Sequence, residues 1–570
     1  MLRKLIILLI IICASILAGI LPPKKSIIII FEYAGYYFIF IAFFLWVTCL
    51  FKLYFWKIKS IFTEHYGGLL LSTILMVLVF CIAPPKFKVL SDETNLIGIS
   101  MAMYQSKKVS MPLSGFNLDY RKPQYQSTLD KRPLLYPFLV SLVHSLRGYS
   151  AYNGFVVNFI LGIMVLIVFY LFIHDHFPRI YGLYAILIVA SLPNFVIWVT
   201  STGFETLNLF FIIFTIFLFN KVIVTKSIQH IELLFLTLVL VSQCRYESVI
   251  FTVAILFLLP ILLNRKTITE FSSVTYLTPI LFIPTIWLPR SYADLPDINR
   301  LYSQFIQVPS LYDAFSVANF IANTPKNMMV FLGLDPNLGF SPIVTVLSIG
   351  GIFILTRKLI VDFPGASLEF KKMWLFGFVS FCLMYLIQAA FYRGDLTLVT
   401  QNRFAMSYLP YMVLPAIVLI HNILNKETIP KQIFVSVFLV FHLLFFWSYG
   451  SQQLLINAGS IPHEYNKTLS YLKDHFKNNS SLLIVCERPN LYIVQYQGAI
   501  DFNYANQNAE KILDGYGREF DHILVLQKYL YKTGMPLKLN HLSSSFPLKG
   551  LAHIHLTQSE YLKISEIIDQ

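Results

Sequence analysis

Residues 153–173 read NGFVVNFILGIMVLIVFYLFI, and no charged side chain interrupts this run. Crossing the ~30 Å hydrocarbon core of a bilayer takes about 20 helical residues, so the run is long enough to form a span. Similar runs recur along the chain of 570 residues, of which 56% are apolar and 13% charged. A soluble chain has about a quarter charged residues. The composition therefore predicts an integral membrane protein.

The apolar runs predict a polytopic α-helical protein with about 13 transmembrane helices. Inside the bilayer no water satisfies the backbone, so a span must be a helix or part of a closed barrel. The short alternating strands of a barrel are absent from the sequence. The predicted spans are 5–21, 28–51, 67–84, 153–173, 180–198, 206–220, 231–244, 247–263, 273–289, 341–356, 373–392, 404–421 and 432–449.

Lysine and arginine are unevenly distributed between the short loops that join these spans. Sixteen lie in one alternate set of loops and five in the other, and the richer set faces the cytoplasm in a cell membrane. This bias places the N-terminus in the cytoplasm and three long segments outside, namely 85–152, 290–340 and the tail after 450. The net charge of +14 is explained by this topology, so we expect membrane lipids and no nucleic acid as partners.

The tail, residues 451–570, turns polar and predicts a small α/β domain outside the membrane. Helices are expected at Leu469–Phe476 and Ala505–Leu513. Strands are expected at Ser481–Cys486, His522–Leu526 and Ala552–Leu556. No phosphate loop, metal motif or nucleophile signature is visible in this segment.

The first external segment, 85–152, contains the most informative polar residues. Asp92 and Glu93 follow the third span closely and predict a carboxylate pair just above the bilayer, or equally the N-cap and first turn of a helix through Met103. After Asp130-Lys131-Arg132-Pro133, apolar residues at helical spacing from Leu135 to Leu146 predict a helix lying in the membrane interface.

These two predicted helices flank a polar segment with carboxylates and clustered cations. Such a combination suits a lipid-linked phosphate, whose charge the cations would neutralise while a carboxylate accepts a proton. Binding of anionic lipid head groups by the same cations is the alternative. The residues concerned are Asp119, Arg121, Lys122, Asp130, Lys131 and Arg132.

Other candidates lie at the outer ends of later spans. For the arginines, the alternative is an interfacial side chain whose charge reaches water. For Arg245 with Glu247, it is a structural role in a tight turn. These candidates are Glu205, Arg245, Glu247, Arg290, Arg300, Arg393 and Arg403.

Asp92-Glu93-Thr94, together with Asp130-Lys131-Arg132-Pro133-Leu134 before the interfacial helix, resembles motifs of the GT-C superfamily of membrane glycosyltransferases. The resemblance is to the branch of protein O-mannosyltransferases and aminoarabinose (lipid A) transferases. It covers most of the chain and is most specific in residues 90–140. Two features depart from the family pattern: Arg132 replaces the first Pro of a Lys-Pro-Pro-Leu-like motif, and two spans precede the one that enters the catalytic loop, where the family usually has one.

The resemblance implies three parts: an added N-terminal hairpin (1–66), a catalytic membrane domain (67–450) and the external tail domain (451–570). It also implies inverting transfer of one sugar from a polyprenyl-phosphate donor to a hydroxyl of a glycolipid, cell-wall glycan or protein on the outer face. Asp92 would be the catalytic base, and Glu93 would orient it or share a divalent metal cation with it. The donor phosphate would contact Lys131 and also Arg132, Arg245 or Arg403.

Two other functional classes compete with this one. A transporter or flippase of lipid-linked sugars usually shows repeated halves and broken helices near the middle of the membrane, and no repeat is visible in this sequence. A polysaccharide polymerase or ligase also uses lipid-linked donors, but tends to place its large loop late in the chain. The richest loop here comes early.

Overall fold

The computed structural model describes the chain except for residue 1 and segments 117–123, 263–269, 293–314, 335–339, 362–366, 399, 425–428, 452–459, 477–480, 497, 517–518, 538–540, 544 and 569–570. Of the polar residues named above, Asp119, Arg121, Lys122 and Arg300 lie outside the described residues. Nothing structural follows for these four.

The membrane part is a bundle of apolar helices, most of them buried on one or more sides. Its helices are α1 (Leu2–Ile20), α2 (Lys24–Tyr54), α3 (Ile58–Ile82), α6 (Asn153–His174), α7 (Arg179–Ser191), α8 (Pro193–Val199), α9 (Glu205–Thr225), α10 (Ile228–Ser242), α11 (Val249–Leu262), α12 (Ser273–Leu281), α13 (Ile283–Tyr292), α14 (Val317–Phe331), α15 (Pro342–Val361), α16 (Leu368–Ala390), α17 (Leu409–Leu424) and α18 (Ile429–Ser451).

Within the described residues, every predicted span falls mainly on helix, but two are broken. The span 180–198 bends by 71° between α7 and α8, where Pro193 cannot continue the helical hydrogen bonds. The span 273–289 is divided into α12 and α13 at Phe282. By length and composition, seven of the described helices could cross a membrane, or eight with the bent pair. The count of 13 spans therefore stays a prediction.

The helical stretch Lys24–Ile82 contains two of the predicted spans. A straight helix of its 59 residues would measure about 88 Å, nearly three times the hydrocarbon core. Both of its ends meet the first external segment: Glu32 O accepts from Val109 N at 2.8 Å, and Ala83 leads into that segment. Its middle, at Tyr54, meets His230 in the first turn of α10, and His230 lies 3.2 Å from Thr225, at the end of α9 opposite to Glu205. The stretch thus passes the bundle twice, reversing near the 3₁₀ turn Phe55–Lys57.

Both helices predicted in the first external segment are present, as α4 (Leu90–Ser106) and α5 (Leu135–Arg147). A buried hydrogen-bond chain joins them to α6: Asn153 Nδ2 donates to His144 Nδ1 at 2.8 Å, and His144 Nε2 lies 3.0 Å from Ser100 Oγ. Burial lowers the pKa of His144 to about 4, so its ring is neutral and can accept from Asn153.

Between these helices the chain forms two strands that the sequence did not predict, β1 (Met111–Phe116) and β2 (Gln124–Thr128). They pair with each other in antiparallel fashion, and β1 also pairs with β4 (Gly498–Ile500) of the tail. The first external segment and the tail therefore build one sheet and lie on the same side of the membrane bundle.

The tail consists of α19 (Ile461–His475), β3 (Leu482–Cys486), α20 (Pro489–Tyr496), β4 (Gly498–Ile500), α21 (Phe502–Gln507), β5 (His522–Leu530), β6 (Leu548–His555) and β7 (Glu560–Ile567). The seven-stranded sheet has the order β2-β1-β4-β3-β5-β7-β6. The three predicted strands and the two predicted helices are all present, with shifted ends. The short α20 and β4 were not predicted, and neither was β7, which lies between β5 and β6.

The tail packs directly on the start of α4. The ring of Tyr465 on α19 meets Phe87 edge-on at 5.6 Å between centroids, and Asn466 Nδ2 donates to Phe87 O at 3.0 Å. Phe87 lies five residues before Asp92, so this contact places the tail domain next to the predicted carboxylate pair.

Candidate active site

Asp92 and Glu93 lie in the first turn of α4, and neither is its N-cap. The helix begins at Leu90 after Val89, whose position has no side-chain cap. Glu93 instead satisfies two backbone N–H groups just before the helix, because its Oε2 accepts from Lys88 N at 2.5 Å and from Val89 N at 2.6 Å. The N-cap alternative for Asp92 is therefore wrong, which leaves the Asp92 side chain free to face the bundle.

The carboxylate of Asp92 lies between two guanidinium groups. Arg132 Nε donates to Asp92 Oδ1 at 2.9 Å, and Arg132 Nη2 donates to the same oxygen. Arg403 Nη2 contacts the other oxygen, Oδ2. Arg132, which follows α4, and Arg403, which precedes α17, are far apart in sequence and yet meet at one carboxylate.

Arg132 is held from its other side by Asp130. Its Nη1 lies 2.5 Å from Asp130 Oδ2, and its backbone N donates to Asp130 Oδ1 at 2.8 Å. Asn95, one turn after Asp92 on α4, donates through Nδ2 to Asp130 Oδ2 at 3.2 Å. Asp130, itself held by Asn95, keeps Arg132 aimed at Asp92.

A second group of charges continues from Arg403. Glu205 Oε1 lies 3.4 Å from both Arg403 Nη1 and Arg245 Nη1, and Arg245 Nε lies 2.5 Å from Glu247 Oε1. The guanidinium of Arg245 also stacks against Phe404, 4.4 Å from the ring centroid. Glu205 is buried, whereas the side chains of Asp92 and Glu247, on either side of it in this chain of ion pairs, are 18% and 19% exposed.

Electrostatics keep Asp92 ionised. Burial alone would raise the pKa of Asp92, but Arg403 and Arg132 outweigh it and hold that pKa well below its usual range. The reciprocal effect raises the pKa of Arg132 and of Arg403 against the lowering by burial. The site thus combines a partly exposed carboxylate with two guanidinium groups that contact it directly.

Glu93 faces a different environment from Asp92, although the two are adjacent. Its Oε1 accepts from Thr202 N at 2.9 Å, so both of its oxygens bind backbone N–H groups. Burial raises the pKa of Glu93, and these N–H groups act against that rise. Buried Lys88 lies behind it and donates to Ile197 O and Thr200 Oγ1. Glu93 therefore joins α4 to the loop that carries Glu205.

The arrangement does not fit a cation shared by Asp92 and Glu93. Asp92 is held by two guanidinium groups, and both oxygens of Glu93 are already bonded to the backbone. Over the described part of the chain, no three His, Cys, Asp or Glu side chains are grouped in a way that could hold a metal ion. We therefore derive no step through a metal.

The remaining candidates divide between the site and other places. Lys131 is half-buried directly before Arg132. Arg290 lies elsewhere, because its Nη1 and Nη2 donate to Gly19 O and Pro22 O at the end of α1, at 2.5 and 3.1 Å. Arg393 is exposed and stacks over Tyr392. The structure brings together Asp92, Asp130, Arg132, Glu205, Arg245, Glu247 and Arg403.

Neutral residues that were not predicted from the sequence hold the segment before Arg403. From α14, Asn323 donates to Ala389 O and Phe391 O, while Asn327 donates to Gly394 O and accepts from Leu396 N. Asn194 of α8 donates to Asn402 O at 3.0 Å. The i, i+4 spacing of the two α14 asparagines is a visible signal, since such residues share one helix face.

Gly203 is predicted to be essential for the position of Glu205. A Cβ at residue 203 would lie 1.9 Å from Glu205 Oε2, so Gly203→Ala must turn the carboxylate away from Arg245 and Arg403. We expect the variant to remain folded and to bind an anionic ligand up to about tenfold (about 1.4 kcal/mol) more tightly, because a carboxylate that competes for both guanidinium groups is withdrawn. Binding assays would be run beside Gly377→Ala, whose Cβ meets nothing within 4 Å. Equal binding by the two variants would contradict this role.

Comparisons with known proteins agree with the fold. Residues 131–289 match the family model for dolichyl-phosphate-mannose-protein mannosyltransferase, and no curated protein sequence matches the chain. The crystal structure of ArnT from Cupriavidus metallidurans bound to undecaprenyl phosphate has a TM-score of 0.50 at 8% identity, covering 88% of this chain and 98% of that one. An oligosaccharyltransferase from Archaeoglobus fulgidus, tethered with an acceptor peptide, has a TM-score of 0.45 at 10% identity, covering 85% and 76%.

The similarity to ArnT shows the fold. The chain therefore has the GT-C fold that the resemblance in residues 90–140 predicted: a helical membrane bundle with a C-terminal sheet domain on one side.

Proposed function

We propose that this protein is a glycosyltransferase that moves one sugar from a polyprenyl-phosphate donor to a hydroxyl acceptor on the outer face of the membrane. The observation that carries the proposal is the Asp92 carboxylate between Arg132 and Arg403, with Arg245 one ion pair further on. A carboxylate that must remove a proton and cations that must hold a phosphate are thereby adjacent.

In the proposed reaction, the Asp92 carboxylate takes the proton from the acceptor hydroxyl. The acceptor oxygen forms a bond to the anomeric carbon, and the bond from that carbon to the phosphate oxygen breaks. The polyprenyl phosphate leaves with the electron pair and one further negative charge. Arg132 and Arg403 stabilise that charge, which makes the phosphate a better leaving group. Attack opposite the leaving group gives inversion.

The comparisons support a lipid-linked donor. The ArnT structure of this fold contains undecaprenyl phosphate, and the family model that matches residues 131–289 describes enzymes that use dolichyl-phosphate mannose. The matched range includes Lys131, Arg132, Glu205, Arg245 and Glu247. The bias of lysine and arginine places this side of the bundle outside the cell, where Lys131 and Arg132 of the first external segment would meet the donor phosphate.

The test supplies purified protein in vesicles with a radiolabelled polyprenyl-phosphate sugar and an acceptor extract from cell envelopes. Transfer of label from the donor to acceptor material is the expected result. A flippase would instead move donor across the vesicle membrane without transfer, and a polymerase or ligase would produce labelled chains of many units. Either outcome would reject the proposal.

A further inference from the structure

Arg245 and Arg403 lie on two segments that are distant in sequence. Arg245 directly precedes the 3₁₀ segment Tyr246–Ser248, and Arg403 is in the 3₁₀ segment Asn402–Tyr408. Both arginines contact Glu205, but at 3.4 Å, which is long for a charge-assisted hydrogen bond. These contacts with Glu205 are too loose to fix the distance between the two guanidinium groups.

A shorter connection between the two segments passes through Asn208. This residue lies one turn after Glu205 on α9 and is 1% exposed. Its Nδ2 donates to Ser407 Oγ at 2.9 Å, and its Oδ1 accepts from Ser248 Oγ at 2.5 Å. Ser248 is three residues after Arg245, and Ser407 is four residues after Arg403, so one amide binds both arginine-bearing segments.

An amide suits this position because it offers a donor and an acceptor in one rigid plane. Leucine has a similar size but would leave the buried Ser248 and Ser407 hydroxyls without this partner, and unpaired buried polar groups are costly. Asn208 takes no part in the reaction proposed above.

We propose that Asn208 is a positioning residue that sets the separation of Arg245 and Arg403 and thereby the affinity of the site for a lipid phosphate. The inference deepens the proposed function and rests on it. It predicts that the effect of Asn208 passes through Arg245 and Arg403, and that Arg132, which is held by Asp130 and meets Arg403 only through Asp92, is coupled to Asn208 more weakly.

The experiment measures binding of undecaprenyl phosphate to the full-length protein in lipid nanodiscs. We expect Asn208→Leu to raise the Kd about tenfold. The double variant Asn208→Leu with Arg403→Lys should raise the Kd by much less than the product of the two single-variant increases, because the effects of residues that act through one contact are not additive. Combined with Arg132→Lys, which meets Arg403 only through Asp92, the two single effects should come closer to multiplying than they do with Arg403→Lys. Thr215→Val, on the same helix and equally buried, removes only an intrahelical bond and serves as the stability control.

Ser407→Ala and Ser248→Ala provide milder variants if Asn208→Leu does not fold. Each removes one partner of Asn208, and each should raise the Kd severalfold at temperatures well below unfolding. If wild-type protein does not bind undecaprenyl phosphate, the proposed function and this inference both fail. If wild type binds but Asn208→Leu or the serine variants bind equally well, only the inference fails. A cycle with Arg403→Lys that is additive would also overturn it.

Discussion

Asp92→Asn is expected to lower the turnover of sugar transfer by about a hundredfold to ten-thousandfold, the range that general bases contribute. The amide keeps the size of the side chain but cannot take a proton from the acceptor hydroxyl. Turnover would be measured at saturating donor with purified protein, so that a change in donor affinity does not enter the result.

The same substitution should leave donor binding intact or make it tighter. Arg132 and Arg403 are held by the Asp92 carboxylate, which competes with the donor phosphate for both guanidinium groups. Removing its charge frees them. Asp130→Asn is the matched control, because Asp130 contacts Arg132 from the other side and is buried away from the exposed end of the site. Loss of donor binding in Asp92→Asn, or turnover equal to wild type, would reject Asp92 as the base.

Much of the fold could be predicted because hydrophobic runs and charge bias act locally along the chain. The helices α4 and α5 follow from the same local signals, whereas 180–198 was predicted as one span and its break at Pro193 was not. The strands β1 and β2 could not be predicted, because β1 is stabilised by pairing with β4, nearly 400 residues away. Register between such distant strands depends on tertiary packing, which no local pattern records.

The site was predictable as a set of residue types and not as a set of roles. Asp92, Arg132, Arg245 and Arg403 were named from the sequence and do converge. Glu93 was given a role beside Asp92, yet consecutive residues on a helix point about 100° apart, and Glu93 binds backbone N–H groups instead. Arg132, which departs from the family motif, contacts Asp92 directly.

Arg290 shows that a position beside a long loop does not by itself indicate the role of a charged residue. It was a candidate because it opens the second external segment, but it binds the carbonyl groups at the end of α1. The carbonyl groups of a helix end attract cations as a phosphate does. The sequence around residue 290 does not distinguish the two, since α1 is about 270 residues away.

Donor binding is expected to become tighter as the pH falls from about 6 to about 4 and to change little from about 8 to about 6, where Asp92 stays ionised in the donor complex and can act as the base. Without donor, Arg403 and Arg132 hold the pKa of Asp92 well below its usual value, so Asp92 is ionised throughout this window. A bound phosphate replaces part of these two contacts. Glu205 still contacts Arg403, and Asp130 still contacts Arg132. The pKa of Asp92 must then rise, and a rise on binding means that a proton is taken up with the ligand.

The measurement uses a methyl ester of undecaprenyl phosphate, because a phosphodiester keeps a single negative charge over the whole window and does not titrate itself. Calorimetry in buffers of different ionisation enthalpy would count the protons taken up. In Asp92→Asn the profile should become flat, since the titrating group is gone, and at pH 8 this variant should bind more tightly than wild type. A profile that stays steep in Asp92→Asn would assign the proton to another group, and a flat wild-type profile would show that donor and Asp92 do not compete for the arginines.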